Sequence, residues 1–116
     1  MTGVGPQPFS AELTAFIVDL ADAVELIDVL VLLAERPQHW FAARAIAQAL
    51  ATNEDSVERR LRRLRDKGLA RTEDHLHCYA PRSDRDARLA AELLVAYRSH
   101  RVRVIEVIFA RAEERS

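Results

Sequence analysis

The stretch AARAIAQALATNEDSVERRLRRLRDKGLART, residues 42–72, decides the reading of this 116-residue chain. Its first part is rich in alanine and sets Ile46, Ala47 and Leu50 at helical steps, which predicts a helix over Ala43–Leu50. Ala51-Thr52-Asn53 is a short polar turn. Asn53 is a good N-cap for a next helix, and Glu54 and Asp55 suit the positive end of its dipole. Val57, Leu61 and Leu64 then form one apolar stripe. Gly68 stands where helices often end in a left-handed residue. Leu69–Glu73 and Leu76–Ala80 read as two short strands around Asp74-His75, and Pro81 closes the second.

Placing the helix over about 54–67 at 100° per residue turns Val57, Leu61 and Leu64 to one side. Arg59, Arg62 and Arg63 point away from them, with Asp55 and Asp66. Ser56, Arg60 and Lys67 fall along one flank, Glu58 and Arg65 along the other. Guanidinium groups on an outward face can bond phosphates or the O6 and N7 of guanine. A helix fits the major groove, with its N-terminal residues nearest the bases. Ser56, Arg59 and Arg63 are therefore the expected base readers, and Arg60, Arg62 and Lys67 the expected phosphate contacts. Arg71, on the first strand, is placed to reach the backbone. The plainer reading is a solvated charged face, supported by a favourable i,i+4 pair, Glu58–Arg62.

Two helices joined by a short turn, then Gly-Leu and a hairpin, are the layout of a winged helix-turn-helix. The run from Ala42 to Thr72 resembles the DNA-binding core of the MarR-like winged-helix regulators. The matching positions are Ile46, Ala47 and Leu50 on the first helix, and Val57, Leu61, Leu64, Gly68 and Leu69 around the second. The resemblance covers about forty residues, up to Pro81. It departs from the family at Ala51, where glycine is usual, and at Ala42 and Ala43, where serine or threonine opens the helix. It implies a bacterial transcription regulator that binds double-stranded DNA and dimerises through its terminal helices.

The formal net charge of −1 conceals an uneven distribution. Residues 1–35 hold six acidic side chains and no Lys or Arg, while all seventeen basic residues lie from Arg36 onward. The densest basic run is Arg59 to Arg71. The wing tip, Asp74-His75, lacks the cations expected of a wing that enters the minor groove.

Outside this centre, residues 1–9, with two glycines and two prolines, read as a disordered lead-in. Residues 10–36 read as an N-terminal helical segment capped by Ser10, with a break near Asp22 and an end at Pro37. Residues 37–82 form the DNA-binding core. Residues 83–116 read as one long C-terminal helix reaching about Glu114. Its last third is apolar on several sides, and such a helix is buried from several directions. The economical solution packs the terminal helices together and against a second subunit through Leu13, Phe16, Ile17, Leu94, Tyr97, Val104, Ile105, Ile108 and Phe109. A two-fold dimer also matches palindromic sites. The expected fold class is thus mainly α with a small β-hairpin wing, a winged helix-turn-helix with long terminal helices at a dimer interface.

Other chemistry finds little support. One cysteine, Cys78, excludes a disulfide within the chain, and alternation along the strand makes it a buried thiol. The same alternation puts His75 and His77 on the opposite strand face, an awkward metal set. Trp40 and Phe41 are expected in the core, and nothing specifies an effector pocket near Trp40, Tyr97 and His100. No phosphate loop, HExxH or nucleophile elbow occurs, so neither an enzyme, a cofactor nor a metal is expected. With no secretory leader and no apolar run long enough for a bilayer, a cytoplasmic protein is expected and no membrane partner. The rival function is a winged-helix interaction module whose arginine face binds an acidic protein surface.

Overall fold

A computed structural model describes residues 9–115, with side chains described through Ala110. Nine elements follow in chain order among them: α1 (Ala11–Leu20), α2 (Val24–Glu35), β1 (Phe41–Ala42), α3 (Ala43–Leu50), α4 (Glu54–Asp66), β2 (Ala70–Glu73), β3 (Leu76–Tyr79), α5 (Asp84–Ser99) and α6 (Arg101–Arg115). The chain is mainly α-helical, with a small antiparallel sheet in the order β1-β3-β2.

The helix starts follow from local capping. Ser10 accepts a hydrogen bond from the Leu13 amide at 3.0 Å, Asn53 from Ser56 at 2.8 Å, and Ser83 from Asp86 at 3.0 Å. Each side-chain oxygen satisfies one of the amides a helix start leaves without a partner. The breaks are as local. At Ala21–Ala23 the backbone turns extended and separates α1 from α2, where Asp22 marks the expected break.

Two helix ends share one device. After α4, Gly68 takes φ 77°, its amide reaches the Arg65 carbonyl, and Leu69 reaches the Leu64 carbonyl, both at 2.9 Å. After α3, Ala51 takes φ 55°, with its amide on Gln48 and Thr52 on Ala47. Both are Schellman ends, which need a left-handed residue. Glycine adopts that conformation freely, whereas Ala51 holds it against the clash of its Cβ.

The hairpin turns through Asp74 at φ 49° and His75 at φ 65°, the two-residue turn whose twist suits paired strands. Arg71 lies opposite Cys78 and Thr72 opposite His77. Phe41 pairs with His77 on the other side of β3. Two residues are too few to show a strand's alternation, which is why β1 escapes the sequence reading. Cys78 and His77 are both buried, so the expected opposition of a covered and an open strand face fails. The reason is that β3 is central and covered on both faces. Cys78 donates to the Pro37 carbonyl, 3.2 Å away, and His77 meets the Thr72 hydroxyl and feels the charges of Glu58 and Arg65 on α4.

The C-terminal segment is two helices, which corrects the expectation of one. His100 leaves helical geometry (φ −139°, ψ 49°), its amide still bonds Ala96, and its carbonyl starts α6 by accepting from Val104. One core joins the whole. Ile17 and Leu20 of α1, Leu26, Ile27 and Leu30 of α2, and Leu61 and Leu64 of α4 are among its fully buried side chains. Each contributes roughly 1.5–3 kcal/mol by leaving water. Phe41 packs on the edge of this core. Trp40 is half-buried outside it, against expectation, with the Arg71 guanidinium 5.4 Å from its ring centre. Residues 1–8 of the expected lead-in lie outside the described residues, and Phe9 is buried, edge-on to the His100 ring at 6.2 Å.

Candidate nucleic-acid interface

Helices α3 and α4 meet across Ala51-Thr52-Asn53, and the β2–β3 hairpin follows α4 directly. The apolar stripe of α4 points into the core, as its spacing requires. The basic residues divide into two sets.

The first set faces the junction of α1 and α2. The Glu25 carboxylate accepts from the Thr52 hydroxyl at 2.8 Å, from the Ser56 hydroxyl, and from Arg60 Nε at 3.2 Å. Arg60 also lies 3.6 Å from Asp22. Desolvation raises the Glu25 pKa, but the hydrogen bonds from Ser56, Thr52 and Arg60 outweigh it and hold the pKa below 4.5. One turn on, Arg63 donates from Nε to the Leu20 carbonyl at 2.6 Å and from Nη2 to the Asp19 carbonyl at 2.9 Å. These carbonyls end α1, where the helix dipole is negative. Lys67 Nζ stands 3.1 Å from both carboxylate oxygens of Asp19.

Ser56 is therefore not on the outward face. It is 6% exposed and its hydroxyl is engaged. Arg63 is half-buried on the α1 flank, not pointing away from the apolar stripe. On the helical wheel Ser56, Arg60, Arg63 and Lys67 share one 60° arc, and α1–α2 covers it. The acidic N-terminal segment was legible in the sequence, but not that its acids would fold against these cations.

The second set is exposed. Arg59 and Arg62 stand on the outward face of α4 with Asp55 and Asp66, and Glu58 lies beside them. Among the described residues, none of these five makes a side-chain ion pair within 4.0 Å, including the expected Glu58–Arg62 pair. The i,i+4 pair Arg88–Glu92 on α5 does form, at 2.9 Å. Arg44 on α3 is exposed too, a cation that stands alone in an alanine-rich run and so carries no signal in the sequence. Arg71 is exposed, stacked near Trp40 and bonded to Glu73. Arg65 donates to the Thr72 hydroxyl at 2.9 Å, which leaves the hydroxyl proton for His77 Nδ1 at 2.8 Å. Burial lowers the His77 pKa, which suits this neutral, accepting ring.

The nine residues expected at a subunit interface also divide. Leu13, Ile17, Tyr97, Val104 and Ile108 are buried within the single chain, Phe16, Leu94 and Ile105 are half-buried, and Phe109 is 58% exposed. The Tyr97 hydroxyl donates to Asp28 at 2.6 Å. Burial first, and then Asp28, push its pKa up to about 12. A groove of about 500 Å³ opens between α1 and α5, lined by Phe9, Leu13, Val95 and His100 among others, and Trp40 is not part of it. Among the described residues no three His, Cys, Asp or Glu side chains gather to hold a metal ion, and no helix is long and apolar enough to cross a membrane.

The order of elements and the three-stranded sheet are consistent with a winged helix. No family model and no curated protein sequence matches the chain. Among solved structures, a protein described as a "possible transcriptional regulator" from Methanosarcina mazei Go1 superposes with a TM-score of 0.49 at 16% identity, over 78% of this chain and 80% of that one. A likeness at that level says nothing about what this chain binds.

Proposed function

We propose that this chain is a winged helix-turn-helix protein of MarR-like type that binds double-stranded DNA as a dimeric, cytoplasmic transcription regulator, with α4 in the major groove. The observation that carries this reading is the pair Arg59 and Arg62, exposed on the outward face of α4 and without an ion-pair partner among the described residues. Two guanidinium groups about one turn apart on a groove-sized helix suit guanine edges or phosphates. Arg44 and Arg71 are placed as further backbone contacts. Arg60, Arg63 and Lys67 serve first to hold α4 on α1–α2. Dimerisation through α5 and α6 is supported by Val95, Val102 and Phe109, which are 58–67% exposed. Changing Val102 and Phe109 to glutamate is expected to leave a monomer by sedimentation.

The test is fluorescence anisotropy of a labelled duplex at about 50 and about 200 mM salt, the range over which phosphate-dominated binding collapses. Micromolar or tighter binding that falls steeply with salt supports the reading. No binding at low salt overturns it. A second reading, a protein-interaction module, draws on the acids at the exposed start of α4 and on the compensation of Arg60, Arg63 and Lys67. A pull-down that keeps a protein partner after nuclease treatment favours it.

A further inference from the structure

The exposed face of α4 is not simply basic. Asp55, Arg59, Arg62 and Asp66 follow one another at steps of four, three and four, within about 60° of arc, and Glu58 borders the stripe. Acids and arginines on one helix at these spacings usually neutralise each other. Here no such ion pair forms within 4.0 Å among the described residues, while the cations of the neighbouring flank are all engaged. The stripe thus offers two donors flanked by acceptors to whatever lies against it.

A phosphate backbone does not fit that pattern, because Asp55 and Glu58 repel it. An edge with donors and acceptors side by side does. Guanine presents O6 and N7 to an arginine fork, and its cytosine partner presents the N4 amino group to a carboxylate. Adenine is read best by a side-chain amide, and Asn53, the one amide of the α4 start, is spent on capping Ser56.

Resting on the DNA-binding reading above, we propose that α4 selects G·C-rich half-sites, with Arg59 and Arg62 on guanine and Asp55 and Glu58 as specificity-determining acceptors for cytosine. The two carboxylates act twice. They accept from cytosine at the right site, and at any other sequence they stay unpaired in a field of phosphates. They therefore lower affinity for unrelated DNA more than for the target, and specificity is a difference of affinities.

The experiment measures anisotropy of two labelled duplex pools, one of random G·C-rich and one of random A·T-rich sequence, with the unaltered protein, D55N, E58Q and the double variant. Both altered positions are exposed, and urea titration of each variant checks that it is folded. The unaltered protein is expected to prefer the G·C-rich pool. The double variant should bind the A·T-rich pool more tightly than the unaltered protein does, and the preference should shrink by about fivefold or more, the scale of one lost base contact. Equal binding of both pools by the unaltered protein, or a preference unchanged in the double variant, overturns the proposal and leaves DNA binding standing. Binding to neither pool at about 50 mM salt overturns both.

Discussion

Arg63 donates from its Nε to the backbone carbonyl of Leu20, 2.6 Å away, so the helix proposed to face DNA is anchored by one of its own arginines to the end of α1. A second bond from the same guanidinium reaches the Asp19 carbonyl at 2.9 Å. Removing the side chain strands two carbonyls at a half-buried helix end. Arg63→Ala is expected to cost about 1.5–3 kcal/mol, the range for hydrogen bonds to a charged group. Arg59→Ala, on the exposed face, should stay within about 0.5 kcal/mol. Urea unfolding of the two variants checks the contrast, and equal losses would show that Arg63 is not a structural anchor.

The left-handed residue that ends each helix of the α3–α4 pair gives a second contrast. Ala51 at φ 55° carries a Cβ penalty that glycine avoids, so Ala51→Gly should stabilise the chain by about 1 kcal/mol. Gly68→Ala should do the opposite by a similar amount. Its new Cβ would stand 3.0 Å from Cδ of Arg82, a side chain able to swing aside, so backbone strain sets the cost. Opposite shifts in thermal midpoint are the expected result. A destabilised Ala51→Gly would mean that its greater freedom when unfolded outweighs the relief of strain.

These two ends also show what sequence can disclose. Apolar spacing and caps determine the helices of the central stretch, because Val57, Leu61 and Leu64 must share a face whatever surrounds them. The left-handed turn at Ala51 was visible only as a departure from glycine. The partition of the cations was not visible at all. Whether Arg60 and Lys67 meet solvent or Asp22 and Asp19 depends on where α1 ends and how it packs, a contact across about 40 residues that no local pattern encodes. The break at His100 was hidden for a related reason. The apolar residues on either side keep helical steps, and only the backbone at one polar residue departs.

Glu25 makes stability depend on acid. Its folded pKa lies below 4.5 because three donors favour the ionised form despite burial. The folded chain therefore binds this proton less readily than the unfolded chain does. The resulting stability is fully present above the unfolded pKa and is lost as pH falls through the folded one. Urea midpoints from about pH 6 to about pH 3 should decline more gently in Glu25→Gln than in the unaltered protein. Glu25→Gln should also be weaker near neutrality, where Arg60 loses its charged acceptor. Parallel acid limbs would assign the loss to other carboxylates.

Asp19 and Lys67 decide whether the anchored flank also touches DNA. The Asp19 side chain is 71% exposed, so its pair with Lys67 contributes only about 0–1 kcal/mol and opens readily. A phosphate competing for Lys67 displaces an acid already in water. Asp19→Asn removes that competitor and should tighten binding to duplex DNA with little change in unfolding free energy. Each added phosphate contact steepens the dependence of log affinity on log salt by about 0.9. If Lys67 joins the backbone, Asp19→Asn raises affinity at about 50 mM salt, and adding Lys67→Ala cancels the gain. If the flank faces away from the duplex, Asp19→Asn shifts affinity only through the net charge of the whole chain, and Lys67→Ala subtracts the same small amount with or without Asp19. The double-mutant cycle therefore separates a local contact from a diffuse field, because only the local contact makes the two changes non-additive.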